Sequence, residues 1–501
     1  MKKKLLLTIT TTRFKCYFTT LFLLTINHLV AQVNNSPGLK SIRIEDLKTD
    51  LYAHADAHFK GRSAGTLDEL KAAAWLAEKY RAIGIKPAGD DGTYFQFFTL
   101  WRNHIADNSS IQINDKPLAI WDDVTISQMA NVNLSAPILY LGNALEMDTT
   151  VNVKGKVVAF EANSKGINLE VSLPTWRYSR YVYTKYGQSL LKRGATAILI
   201  IADETGEKAW EDANENFKRG SYDIDGGANV DVTTTVPVMW LHPTAKKEIE
   251  SNTATLKANL IVSKYPYPSV NVVGKIEGTD AKLKSEYLLY SGHSDAHGVR
   301  NPIKNDTIYY GADDNGSVNV AMLANARAFI KYPAKRSVLF VIHGAEERGL
   351  LGSRYYSAHP TVPISSIVTV LNGDMIGRNN IDSAAILGSM PPHRNSLDLV
   401  NMAMAANQEG PNFKLDTEWD KVTHIEGWYF RSDHVPYARL GIPALMYTSL
   451  LHPDYHTPQD NAANINYPKL KKMADWMYRT GWKVANADKR PAVDKNFKLE
   501  R

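Results

Sequence analysis

The chain has 501 residues, 44% of them apolar and 22% charged, with no low-complexity tract. This material is enough for a large core and excludes intrinsic disorder, and the length calls for about two to four domains, or one large domain carrying an insertion. The formal net charge of +6 shrinks to +1 when the five bases of residues 1–31 are set aside, so neither nucleic acid nor an acidic membrane is an expected partner.

Those first residues read as a secretory signal. Lys2, Lys3, Lys4, Arg13 and Lys15 precede an apolar run from Tyr17 to Ala31, broken only by Asn27 and His28. Cleavage is expected near Ala31 or Gln32, giving an exported protein, periplasmic or extracellular, with no stable membrane association. The alternative is an uncleaved anchor, but the run falls short of the ~20 apolar residues of a spanning helix. The one cysteine, Cys16, lies inside this signal. Thiolate nucleophiles and thiolate ligands are therefore excluded downstream, and any metal must be held by His, Asp and Glu.

Residues 32–130 form an entry region. Leu70, Ala74, Ala77 and Tyr80 share one face of a helix expected over 67–83, and Gly84 ends it. A strand follows over 93–100. Residues 131–265 break into short strands, at 136–141, 156–161, 195–202 and 236–241. The charged stretch 203–229 has little apolar content and reads as a loop. From about residue 266 to the end, strands (287–291, 337–342, 367–371, 444–447) alternate with helices (318–330, 350–357, 395–406, 470–484). That alternation predicts an α/β fold, a mostly parallel central sheet with helices on both faces, in which ligands bind beyond the carboxyl ends of the strands.

Polar groups gather at those ends. His293 and Asp295 follow one strand, and Asp313 and Asp314 precede a helix. Glu346 and Glu347 follow the next strand, Asp374 another, and Tyr455 and His456 come late in the chain. Only the fold can bring such distant residues together. Imidazole and carboxylate donors suit zinc, and a catalytic zinc keeps one position open. Five ligating groups exceed the needs of one ion but serve two ions about 3.5–4 Å apart that share a carboxylate. Of two adjacent glutamates, one can ligate while the other acts as general base.

The runs Gly311–Ser317, Gly344–Ser353 (GAEERGLLGS), Leu371–Arg378 (LNGDMIGR), Arg431–His434 (RSDH) and Tyr455–Asp460 (YHTPQD) resemble the M28 zinc-peptidase family over about residues 269–485. Residues 131–265 resemble, more weakly, the protease-associated (PA) domain often inserted in such enzymes, and Gly61–Thr66 resembles the family's amino-terminal segment. The resemblance implies a zinc-exopeptidase fold and removal of amino-terminal residues from peptides. It implies two Zn2+ ions, one held by His293 and Asp374, the other by Glu347 and His456, with Asp314 bridging. Glu346 would be the base, Asp295 would orient a ligand imidazole, and Tyr455 would steady the developing oxyanion. The peptide bond after Asp314 is often cis in the family. Two positions depart from the pattern: Ser294 stands where many relatives have an aromatic residue, and Gly373 replaces a Met or Phe, which implies a roomier pocket.

Other histidines are weighed singly. His54, His58, His104, His242, His359, His393 and His424 read as structural or surface groups, and His343 as part of the site floor without ligation. His297, His434 and His452 lie close enough to the motifs to contact substrate or ligands. Asp433 reads equally as a helix cap or a site wall. Arg378 and Arg431 keep open a carboxypeptidase or dipeptidase, which needs a cationic clamp for the substrate carboxylate. A one-zinc glutaminyl cyclase is a further alternative, as is a binding protein on a dead scaffold, although no ligand or base is missing.

Overall fold

The structure, a computed structural model, describes residues 36–148, 150–167, 176–227 and 234–500. The expected signal over 1–31 lies outside them. Among the described residues no helix is long and apolar enough to cross a membrane.

Two large sheets organise these residues. The first has ten strands. Its centre is four parallel strands in the order Ala444–Thr448, Ile367–Gly373, Tyr287–His293 and Ser337–His343. Every residue of the Ile367–Gly373 and Ser337–His343 strands is buried, as expected of strands covered on both faces. The sheet as a whole is mixed, which corrects the expectation of a mostly parallel one. Val262–Ile276 joins Ser337–His343 antiparallel and pairs in turn with Phe95–Ile105, which carries Ser221–Ile224. On the far side Ser383–Leu387 runs antiparallel to Ala444–Thr448, with Lys414–Leu415 at the edge beyond it. The antiparallel flank escaped notice because its partners lie some way apart in sequence and give no hairpin signal.

Helices cover both faces. On one side the Val318–Lys331 and Tyr467–Asn486 helices pack with Leu67–Ile83 around Leu76, Tyr80, Leu323, Phe329, Trp476 and Tyr478, all essentially inaccessible. Fully burying each such aliphatic side chain contributes about 1.5–3 kcal/mol. Thr66 caps the Leu67–Ile83 helix and Gly84 closes it in the left-handed conformation (φ 93°). On the opposite side Tyr356 and Tyr437 cover Leu339 and Val341.

The second sheet has eight strands drawn from between Ser110 and Leu260. It has its own core, including Val157, Ala159, Leu199, Met239 and Leu241. The stretch expected as a loop over 203–229 instead forms helices Glu204–Lys208 and Trp210–Arg219 and the strand Ser221–Ile224. Polarity misled here: Trp210 and Ala213 alone bury one face of the longer helix, and its acidic start and basic end suit the helix dipole.

Candidate active site

The four parallel strands deliver their ends to one rim. His293 and His343 are paired in register at the ends of adjacent strands, and Gly373 pairs with Tyr447. Beneath them Ser291 donates to Asn372, and Asn372 donates to Ser432, both at 2.7 Å, so the strand ends are tied by a buried polar relay.

All five expected metal ligands converge. His293 Nε2 lies 3.2 Å from Asp314 Oδ1, and His456 Nε2 lies 3.1 Å from Asp314 Oδ2. Asp314 thus offers one oxygen to each side. Asp374 Oδ2 is 3.9 Å from His293 Nε2, and Glu347 Oε1 is 3.4 Å from His456 Nε2. Glu346 Oε2 stands 3.8 Å from His293 Nε2, on the Asp374 side. Tyr455 stacks on His456 with ring centroids 3.6 Å apart. Tyr455 and the carboxylates of Glu346 and Asp374 line one cavity of about 220 Å³.

The donor set fits cations. His293 Nε2 and Glu347 Oε1 are buried without a hydrogen-bond partner, an expensive state unless something else binds them. The charges agree. Burial and the neighbouring carboxylates Glu347 and Asp374 push Glu346 far above the usual carboxylate range, against the pull of His293. Burial and Asp314 do the same to Asp374. Burial would raise Asp314 too, but the imidazoles of His293 and His456 hold it well below normal. Burial disfavours charge on His456, yet Glu347 and Asp314 lift it to about 9. Crowded carboxylates that borrow protons from one another make a site short of positive charge.

The supporting groups act differently from expectation in one respect. The ring of His293 meets the carbonyl of Asp295 (Nδ1 to O, 3.1 Å), while the Asp295 carboxylate lies 3.7 Å from that nitrogen. The carboxylate instead accepts the backbone N–H groups of Glu346 (2.9 Å) and Glu347 (3.2 Å), bracing the glutamate turn. Asp460 does the same for Asp313 and Asp314, at 2.8 and 3.0 Å. Asp313 in turn accepts from Gly377 N–H at 2.6 Å and lies 3.4 Å from His452. The Asp314–Asn315 peptide bond is cis.

Sequence reasoning missed Arg62. Its buried guanidinium donates to the carbonyls of Ser294 (2.7 Å), Tyr310 (2.8 Å), Gly311 (2.9 Å) and His54 (3.1 Å), binding both ligand loops to the amino-terminal segment. The only signal was its place in the Gly61–Thr66 run. Gly373 does not enlarge the pocket: a Cβ there would meet Val318 at 2.8 Å, so its open side is already filled by core. Ser294 is buried and donates its N–H to the His343 carbonyl (2.8 Å). His343 contacts Asn271 and Tyr437 and stays outside the cluster. Asp433 precedes the His434–Arg439 helix without capping it. His434 packs edge-on against Tyr429, away from the rim. Arg378 is bound to Asp454 at 2.5 Å, whereas Arg431 stacks on Trp428, pairs with Glu426 at 3.0 Å and lines the cavity together with Arg177.

The α/β rim thus gathers two imidazoles and four carboxylates, donors that suit divalent cations. Residues 271–480, which carry all of them, match the model of peptidase family M28. Aminopeptidase YwaD of Bacillus subtilis is 26% identical over 237 residues, 43% of this chain and 50% of that one. Leucine aminopeptidase 1 of Arthroderma gypseum is 24% identical over 246 residues, 46% of this chain and 62% of that one. The chain thus spans about half to three-fifths of the length of these relatives. Two solved structures share the fold at 17% identity: an aminopeptidase from Aneurinibacillus sp. strain AM-1 (TM-score 0.56, 89% of this chain and 95% of that one) and BSAP, a zinc aminopeptidase from Bacillus subtilis (TM-score 0.55, 91% and 99%).

Proposed function

We propose that the chain is an exported zinc-dependent aminopeptidase that removes amino-terminal residues from peptides. The observation that carries this reading is the placement of Asp314 between two imidazoles, at 3.2 and 3.1 Å from opposite oxygens. His293 and Asp374 would hold one ion, Glu347 and His456 the other, and Asp314 both. Zinc bound there would polarise the scissile carbonyl and make water acidic enough to attack near neutral pH.

The protein's own groups supply the rest. Glu346 is not needed as a ligand and faces the same cavity, so it takes the water's proton and returns it to the leaving amine. Burial keeps the Tyr455 phenol protonated, so it can donate to the oxygen that gains charge. The carboxylate-rich floor favours a substrate ammonium. The eight-stranded sheet takes the place of the expected PA-like insert over 131–265 between the 32–130 and 266–501 peptidase segments, but it begins earlier, since Ser110–Ile113, Lys116–Leu118 and Val124–Gln128 belong to it. Its Trp210–Arg219 helix supplies Asp212 and Glu215 to a second cleft of about 1000 Å³, which reaches Tyr455 and His456 from the other side.

The test pairs a variant with a substrate panel. Glu346→Gln should retain zinc and fold while kcat falls by about 10²–10⁴-fold. Peptides with free amino termini should be cleaved by the wild-type protein and their acetylated forms should not. A variant that keeps its turnover removes Glu346 as base, and cleavage of acetylated peptides from the carboxyl end overturns the aminopeptidase reading.

A further inference from the structure

The Gly292–Gly298 segment carries a second histidine that the five-ligand scheme leaves idle. His297 lies in the loop after the Tyr287–His293 strand, its side chain only 11% exposed. Both ring nitrogens are buried and neither has a hydrogen-bond partner. The His242 ring, for comparison, uses both nitrogens, whereas His434 and His452 share the unpartnered state; among the described residues His297 alone of these three belongs to a cluster of metal-competent donor atoms.

The surroundings of His297 show what it faces. Its Nε2 is 3.3 Å from Glu347 Oε2, and its ring stands edge-on to that of His456 with centroids 4.0 Å apart. Donor atoms of His297, Glu347 and His456 all lie within 4.8 Å of one another. The loop is held in that position: Ala296 bridges to Ser63, and Gly298 presses so closely on Ser63 that a Cβ would come within 2.7 Å of it.

We infer that His297 is a ligand of the cation held by Glu347 and His456, a His–His–Glu set completed by the shared Asp314. Two imidazoles and one glutamate are a donor set that catalytic zinc commonly takes. The inference rests on the two-ion reading above and adds to it an asymmetry. The Glu347 side has one more imidazole than the His293 side, so it is the more fully enclosed by protein, and the His293 side keeps the more open coordination for substrate.

Two measurements test this on the full chain. The first is zinc stoichiometry and affinity by competition with a chromogenic chelator, for the wild type, His297→Ala and His297→Gln, with circular dichroism of the metal-free forms as a check on folding. Gln preserves a hydrogen bond to Glu347 but is a poor zinc ligand. Both variants should lose about 10–100-fold in affinity for one ion only, leaving the other at its wild-type value. The second is zinc-edge X-ray absorption of the wild type, which should count three imidazoles over two ions and needs no variant. Wild-type affinity in both substitutions, rescue by Gln alone, or two imidazoles in the absorption data would overturn the role of His297 and leave the aminopeptidase reading intact. A wild type that takes up no zinc would instead defeat that reading, and this one with it.

Discussion

The two sheets present the same topological opportunity and use it in opposite ways. Each contains four consecutive parallel strands, and each set ends at loops that carry titratable residues. In the eight-stranded sheet those residues are satisfied. His242 contacts Glu207 at 2.8 Å and the Asp122 carbonyl at 3.0 Å while stacking on Trp210, and Asp203 accepts from Gly206 N–H at 2.9 Å and Tyr178 O–H at 2.6 Å. In the ten-stranded sheet His293, His297 and Glu347 keep buried atoms without partners. A parallel rim is therefore permissive, and chemistry belongs to the rim whose groups the protein itself leaves unsatisfied.

Substitutions at the two rims should separate accordingly. After Glu346→Gln, the largest effect is expected at Tyr455→Phe, which removes a donor to the developing oxyanion; steady-state kinetics should show kcat lower by about 10²-fold with zinc content unchanged. An unchanged kcat would return Tyr455 to a packing role against His456. Asp295→Asn should come next. It weakens the brace on Glu346 and Glu347 N–H groups, and zinc affinity measured with a competing chelator should fall by about 10–100-fold. Should the loss be equal for both ions, the brace acts on the whole rim and not on the glutamate turn. The smallest effect belongs to the other sheet: Asp203→Ala removes a helix cap and should cost about 1 kcal/mol in denaturant unfolding, with kcat untouched. A clear drop in kcat there would mean that the two sheets are coupled in catalysis and that the contrast between them is too simple.

Much of the rim was legible because burial writes itself into sequence. The Ser337–His343 run is apolar from Val338 to Ile342, and the Tyr287–His293 and Ile367–Gly373 runs are mainly apolar, so the polar groups at or just beyond their ends, His293, Glu346 and Asp374, stand out. Helices with wide apolar faces, such as Tyr467–Asn486, were equally plain. The Trp210–Arg219 helix was not, since it is stabilised by few buried residues and by charge placement. Strand pairing across the Val262–Ile276 flank was also hidden, because register with Phe95–Ile105 depends on residues more than a hundred positions away. Arg62 and His297 carry only weak local signals, the Gly61–Thr66 run for one and nearness to the His293 motif for the other. Their surroundings in three dimensions sharpen both, four carbonyls around Arg62 and an unpartnered ring beside Glu347 and His456 for His297.

The pairing of Phe95–Ile105 with Val262–Ile276 runs without a break through eleven residue pairs, from within the catalytic sheet out to the base of the smaller one. Such a ribbon is a stiff stalk where a flexible tether would have been simpler to build. Its eleven paired residues hold the two sheets together through a backbone ladder, which resists bending where a single strand would hinge.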